Sequence, residues 1–174
     1  MGAPAIVELR DVTVLLGGAR RWLRAAVPPV RAVGGVSLTV QPGEIIGLIG
    51  ESALLPKAAR RRRIMYLGRI VEVARADQLF AAPRHPYTRA LLDAAPRLDP
   101  SAASPAALQG EPPSAARLPP GCVFSSRCQH AEPSCREAEP VLQDDAGHAV
   151  ACPRWRDIGP AVGGRAKNPM LALA

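Results

Sequence analysis

Hydrophobic and polar positions alternate along two stretches near the start of the chain. Residues 5–14, Ala-Ile-Val-Glu-Leu-Arg-Asp-Val-Thr-Val, are rich in β-branched residues and partly alternate. Val36-Ser37-Leu38-Thr39-Val40 alternates strictly. Both patterns predict half-buried strands. Residues 15–31 between them predict a loop, with Gly17-Gly18, a basic cluster and Pro28-Pro29. Gln41-Pro42-Gly43-Glu44 is a turn, and Ile45-Ile46-Gly47-Leu48-Ile49 follows as a continuous apolar run. Such a run is expected of a strand buried on both faces, as in a parallel sheet covered by helices.

Beyond Gly50-Glu51-Ser52 the pattern changes. Residues 53–63 have neither strand nor turn logic, and their Arg60 to Arg63 run predicts a solvated basic segment. Ile64-Met65-Tyr66-Leu67 and Arg69-Ile70-Val71-Glu72 predict a hairpin turning near Gly68. Short helices are expected at 76–81 and 87–94, with Thr88 as a cap for the second. From Pro96 to Pro120 the chain is rich in Pro, Ala and Ser, which predicts an extended linker. Residues 121–156 carry all four cysteines, and the tail from 157 to 174 reads as frayed.

Composition narrows the functions open to such a chain. Leu, Ile, Val and Phe number 41 of the 174 residues, against 31 alanines, so the core is small and many loops are expected. Aromatics make up 3%, too few for a stacking platform for single-stranded nucleic acid. The net charge of +7 comes from a basic set of 20 arginines with only Lys57 and Lys167. It reads as a solvated surface rather than a nucleic-acid face. No apolar run approaches the ~20 residues of a membrane helix, and residues 1–6 lack the basic start and apolar stretch of a signal peptide. The expected location is the cytoplasm.

A strand that runs into a Gly-rich turn is the usual cradle for phosphates, in which Lys reaches the β- and γ-phosphates and a hydroxyl binds Mg²⁺. The frame that opens at Gly50, Glu51 and Ser52 departs from that pattern. Leu55 stands at the second Gly, Pro56 at the Lys, and Lys57 at the Ser or Thr. Leu55 fits a close-approach position badly, and Pro56 offers neither an N–H nor a charge. The remnant cofactor-binding set is therefore Gly50, Glu51, Ser52 and Lys57, with no catalytic residue assigned.

Cys122, Cys128, Cys135 and Cys152 have spacings unlike the paired C-x2-C of a zinc ribbon. Four thiolates brought together would still suit Zn²⁺ or an iron–sulfur cluster; reduced thiols without metal and, less in keeping with a cytoplasmic chain, disulfides stand as alternatives. His130 and His148 read as surface histidines, and Trp155 as packing over the cysteines.

The chain resembles the ATP-binding subunits of bacterial oligopeptide and dipeptide ABC importers. Two blocks carry the resemblance. Residues 5–52 do so through Arg31 to Leu38 and Gly43 to Ser52, with Arg21-Trp22-Leu23 and Pro28-Pro29 similar to the second ATPase of such importers. Residues 64–156 do so through Ile64 to Glu72, Pro83-Arg84-His85-Pro86-Tyr87-Thr88-Arg89-Ala90-Leu91-Leu92, Gly110-Glu111-Pro112-Pro113-Ser114 and the cysteines. The resemblance implies an α/β fold: part of a P-loop ABC-type nucleotide-binding domain, β-rich at its N-terminus, with a loop-rich cysteine-containing extension. Its expected divisions are 1–52, 53–63, 64–95, 96–120, 121–156 and 157–174. It implies ATP and Mg²⁺ as cofactors, a [4Fe–4S] centre on the four cysteines in some members, and a second ATPase subunit and membrane permeases as partners at the inner face of the membrane. His85 is expected to anchor the extension structurally.

Between the two blocks the family carries the rest of its phosphate loop, its signature, the Walker B carboxylates and the switch histidine. No residue here stands in for them, so the resemblance implies an internally truncated member unable to hydrolyse ATP on its own. The alternatives are a non-catalytic metal-centre docking module and an inert fragment. Strand 45–49, stripped of its covering helices, predicts a marginal or aggregation-prone chain.

Overall fold

The computed structural model describes residues 4–18, 28–50, 59–94 and 110–159. They form a mixed, sheet-rich fold with few and short helices. β1 (Val7–Leu16) and β2 (Val30–Val40) make a two-stranded antiparallel sheet. Both extend further into the expected loop than alternation predicts, because Val14, Leu15 and Leu16 keep pairing partners in Val33, Arg31 and Val30. The pairing slips between Leu9 and Val12, where Asp11 takes a positive φ of 47° and its amide donates to the Ser37 hydroxyl. This is a bulge, one extra residue absorbed locally.

The second sheet has five strands in the order β3-β4-β5-β7-β6. They are β3 (Ile46–Ile49), β4 (Arg61–Tyr66), β5 (Arg69–Arg75), β6 (Gln143–Asp145) and β7 (His148–Val150). β3 and β4 are parallel; every other pair is antiparallel. The hairpin expected around Gly68 is present, with Leu67 and Gly68 both at positive φ (44° and 77°), as a tight two-residue turn requires. Gly68 also meets β2: the Gly34 amide donates to its carbonyl at 2.9 Å, and a Cβ on it would lie 2.8 Å from the Ala32 oxygen. α1 (Ala76–Ala81) and α2 (Pro86–Ala94) fall where the pattern places them, followed by a 3-10 turn at Pro133–Arg136 and α3 (Trp155–Ile158).

Two expectations are corrected. The basic segment 53–63 is not wholly solvated: Arg61 to Arg63 open β4, and Arg62 and Arg63 are buried, at 2% and 8% exposure. A strand paired on both sides turns successive side chains to opposite faces, so neighbouring arginines cannot all reach water. The Arg62 guanidinium lies 4.8 Å over the Phe80 ring, and its Nε and Nη1 find no hydrogen-bond partner among the described residues. The apolar run of β3, for its part, is buried on one face only. Gly47 and Ile49 are covered while Leu48 is 48% exposed, and β3 lies at the sheet edge among the described strands.

The core gathers where the β4–β5 hairpin meets the cysteine segment. It comprises Ile49, Ile64, Val71 and Leu79 with an aromatic cluster of Tyr66, Tyr87 and Phe124. Ring centroids there lie 4.6 to 5.4 Å apart in tilted and edge arrangements, the geometry that aromatic quadrupoles favour. No helix among the described residues is long and apolar enough to cross a membrane.

Candidate functional site: a thiol pocket and its carboxylate anchor

The four cysteines reach one place from three segments. Cys122 and Cys128 lie on successive turns after Gly121, Cys135 lies in the 3-10 turn, and Cys152 lies two residues past the end of β7. The Cys122 amide donates to the Cys135 carbonyl at 2.8 Å and fixes the first and second segments together. Gly121 makes that approach feasible. Its φ is +68°, and a Cβ would stand 2.4 Å from the Cys135 oxygen, closer than any real contact.

All four thiols are free and border one void of about 10 Å³, with His85, Pro86, Phe124 and His130 around it. Cys122, Cys135 and Cys152 are buried and Cys128 is half-buried. Burial pushes the Cys122 and Cys152 thiols up to about 11, and the neighbouring sulfurs add to the shift. Burial raises Cys128 in the same direction. These are protonated, weakly nucleophilic thiols near neutral pH. The donor set is that of a soft metal site. Yet among the described residues no three His, Cys, Asp or Glu side chains are gathered closely enough to hold a metal ion, and the void is about the size of one water.

One wall of this pocket is set by His85. Its ring Nδ1 accepts the Tyr87 amide at 3.0 Å and so caps the first turn of α2, with Pro86 at the first helical position. The cap is therefore His85 and not Thr88, which lies inside the helix and is buried. Burial lowers the His85 pKa to about 4, so the ring is neutral and its proton sits on Nε2.

Behind that wall is a side chain that motif reading passed over. Glu72 on β5 is completely buried. Its Oε1 accepts the Arg84 amide at 2.8 Å and faces His148 Nε2 at 2.6 Å, while its Oε2 accepts the His85 amide at 3.0 Å. Burial alone would raise this carboxyl. The contacts with His148, the Thr88 hydroxyl and the two backbone amides outweigh it and leave the pKa below the ordinary carboxylate value. A signal was present in the sequence: a lone carboxylate within the apolar run Ile70-Val71-Glu72-Val73 must find partners if that strand is buried. His148 is correspondingly a buried partner of Glu72 and not a surface histidine; His130 is exposed, as expected.

Trp155 does not border the void. It is stacked between Arg84 and Arg156, with their guanidinium carbons 4.4 and 4.6 Å from its ring. At the other candidate site, Gly50 directly follows β3 and lies beside Met65 of the parallel neighbour. Glu51, Ser52 and Lys57 lie outside the described residues.

Residues 71–135 match the family described as the oligopeptide/dipeptide transporter, C-terminal region. The match opens one residue before Glu72 and closes on Cys135. The chain is also 49% identical over 90 residues to the dipeptide transport ATP-binding protein DppF of Escherichia coli K12, covering 51% of this chain and 27% of that protein. It is 44% identical over 110 residues to a probable peptide ABC transporter ATP-binding protein of Sinorhizobium fredii, covering 62% of this chain and 31% of the relative. With the oligopeptide transport ATP-binding protein OppF of E. coli it shares 39% over 111 residues, 62% of this chain and 33% of the relative. The matches thus span a third or less of the length of these curated relatives. Within that span the resemblance read from the motifs is borne out: the chain carries homology to ATP-binding subunits of peptide ABC transporters.

Proposed function

We propose that this chain represents part of the energy-coupling subunit of an oligopeptide or dipeptide ABC importer. It would work at the inner face of the membrane beside a second ATPase subunit and two permeases. The observation that carries this reading is the match over residues 71–135. β3 leading into Gly50 supports the same reading, since a strand that runs into a glycine turn is how a phosphate loop opens.

The chemistry of the residues argues that this chain does not hydrolyse ATP unaided. Mg²⁺ needs a hydroxyl and a carboxylate, and the γ-phosphate needs a Lys at the right position. Leu55, Pro56 and Lys57 occupy the positions of Gly, Lys and Ser or Thr, and no Walker B carboxylate pair follows an apolar strand. ATP titrated into the 174-residue chain with and without Mg²⁺ tests this directly. No binding at millimolar ATP is expected. Micromolar, Mg²⁺-dependent binding would show that Gly50, Glu51, Ser52 and Lys57 still form a working loop.

A second reading is favoured by one observation, the convergence of Cys122, Cys128, Cys135 and Cys152 on a single void. In it the segment is a non-catalytic docking module whose four thiolates would hold a [4Fe–4S] cluster or Zn²⁺ after the pocket opens. Bound metal would supply a structural staple for a loop-rich segment. Anaerobic purification with iron and zinc analysis tests it: about four irons per chain and absorbance near 400 nm mark a cluster. A colourless, metal-free protein removes this reading.

A further inference from the structure

Glu72 holds two walls of the thiol pocket at once, although it touches none of the sulfurs. Toward α2 it accepts the amides of Arg84 and His85, which fixes the chain just before Pro86, and His85 and Pro86 border the void. Toward β7 it binds the His148 ring, and its own backbone pairs with Val150, two residues before Cys152. The Ala151 amide donates to the Val71 carbonyl at 2.8 Å and extends the same attachment. The Arg84 side chain closes the ring of contacts, bonding the His148 carbonyl at 2.9 Å and Asp145 at 2.8 Å. Cys122 and Cys135 are held differently, by their own backbone bond and by the aromatic core. The pocket therefore has one half fastened through Glu72 and one half fastened without it.

We propose that Glu72 is a buried latch that ties Cys152 and the His85–Pro86 wall to the β4–β5 hairpin, so that displacement of the hairpin is passed selectively to Cys152 in the thiol pocket. Glu72 acts as a positioning residue, through His148 on one side and through two backbone amides on the other. Its carboxylate lies 2.6 Å from His148 Nε2, and Arg89 and the His85 ring also feel its charge. Losing either side of the contact frees one wall while leaving the core intact. This proposal is independent of whether the thiols bind metal, since it concerns only how the walls are held.

Thiol labelling of the full chain tests it, with iodoacetamide under reducing conditions and mass spectrometry resolving each cysteine. In His148→Ala the Cys152 rate is expected to rise about ten-fold relative to Cys122, the factor that corresponds to ~1.4 kcal/mol of local opening. Leu79→Ala serves as the control, since it weakens the core without touching the latch. It should raise all four rates together. Glu72→Gln keeps the size and one acceptor oxygen, and is expected to shift the same Cys152-to-Cys122 ratio more gently. It decides the question if His148→Ala does not fold. A ratio unchanged from wild type, or a rise shared equally by all four thiols as in Leu79→Ala, would overturn the proposal.

Discussion

One side chain of β4 and one glycine show how unevenly this sequence suits its fold at the residue scale. Arg62 is buried over Phe80 with two of its nitrogens unbonded among the described residues, and burial lowers its pKa. Guanidinium groups do not give up their proton in proteins, so the charge stays and is poorly compensated. Replacing an ill-paired buried charge by an apolar side chain of similar volume commonly stabilises by 1–4 kcal/mol. Arg62→Leu is therefore expected to raise stability by about 1–2 kcal/mol, the lost Phe80 stacking keeping it at the low end. Urea titration of both proteins measures it, and a lower midpoint for the variant would show that Arg62 has a counter-charge outside the described residues. Gly121 is the opposite case, a residue that nothing else can replace. Gly121→Ala combines a positive φ with a Cβ placed on the Cys135 carbonyl, and should cost about 2–3 kcal/mol and loosen the thiol pocket. The readout is a fall in thermal midpoint together with faster labelling of Cys122.

At the scale of elements, α2 illustrates what sequence pattern can and cannot deliver. Its span and that of α1 are readable from apolar spacing, and the β4–β5 hairpin from alternation broken at Gly68. Its cap is not readable in the same way. Ser, Thr, Asp and Asn are the usual caps, so Thr88 attracted the assignment, whereas His85 does the work because Pro86 fixes the first helical position. Position-specific reading of the cap predicts that His85→Asn, which retains an acceptor at the right distance, loses less than His85→Ala. The expected gap is about 1 kcal/mol, the usual value of a cap. Equal losses in chemical denaturation would mean that ring packing against Phe124, not capping, is what His85 contributes. The candidate site was legible only in part for a related reason. Cysteines declare themselves by type, but Glu72 and His148 matter through a pairing across 76 positions of sequence, and no local pattern encodes such a distance. The buried arginines escaped for the same cause: a charge run looks solvated until strand pairing on both sides turns it inward.

For the molecule as a whole, two consequences follow from groups that are shifted by burial and from faces that are not buried at all. His85 titrates near 4 in the folded protein against about 6.5 unfolded, so only the unfolded chain takes up its proton between those values. Its contribution is complete above about pH 6.5 and is lost as pH falls toward 4, by up to about 3 kcal/mol at one proton's slope. Glu72, whose folded pKa is depressed, contributes above its unfolded value of about 4.3 and loses that contribution as pH falls through the lower folded value. Both act in one direction, so stability is expected to decline continuously from pH 6.5 into acid, and His85→Asn should remove the upper part of that decline. Denaturation at half-unit pH steps resolves the two.

The exposed faces set the behaviour of the chain at concentration. Val7, Leu9, Val14, Leu15 and Leu16 leave the β1–β2 sheet with large apolar side chains in solvent, and Ile45 and Leu48 do the same at the β3 edge. A β3 edge of this kind, unpaired on one side among the described strands, lies beside apolar side chains, and it carries neither Lys nor Pro within Ile46–Ile49 to discourage pairing with another chain. The continuous apolar run that made Ile45 to Ile49 look like a central strand is thus the same property that makes it hazardous as an edge. Self-association that grows with concentration is expected, and Leu48→Lys should suppress it by placing a charge on the exposed face without disturbing Gly47 or Ile49 behind it. Light scattering of the two proteins across a concentration series distinguishes the outcomes. A wild-type chain that stays monomeric at high concentration would mean that residues outside the described segments cover this edge, whereas association undiminished in Leu48→Lys would shift the origin to the open face of β1 and β2.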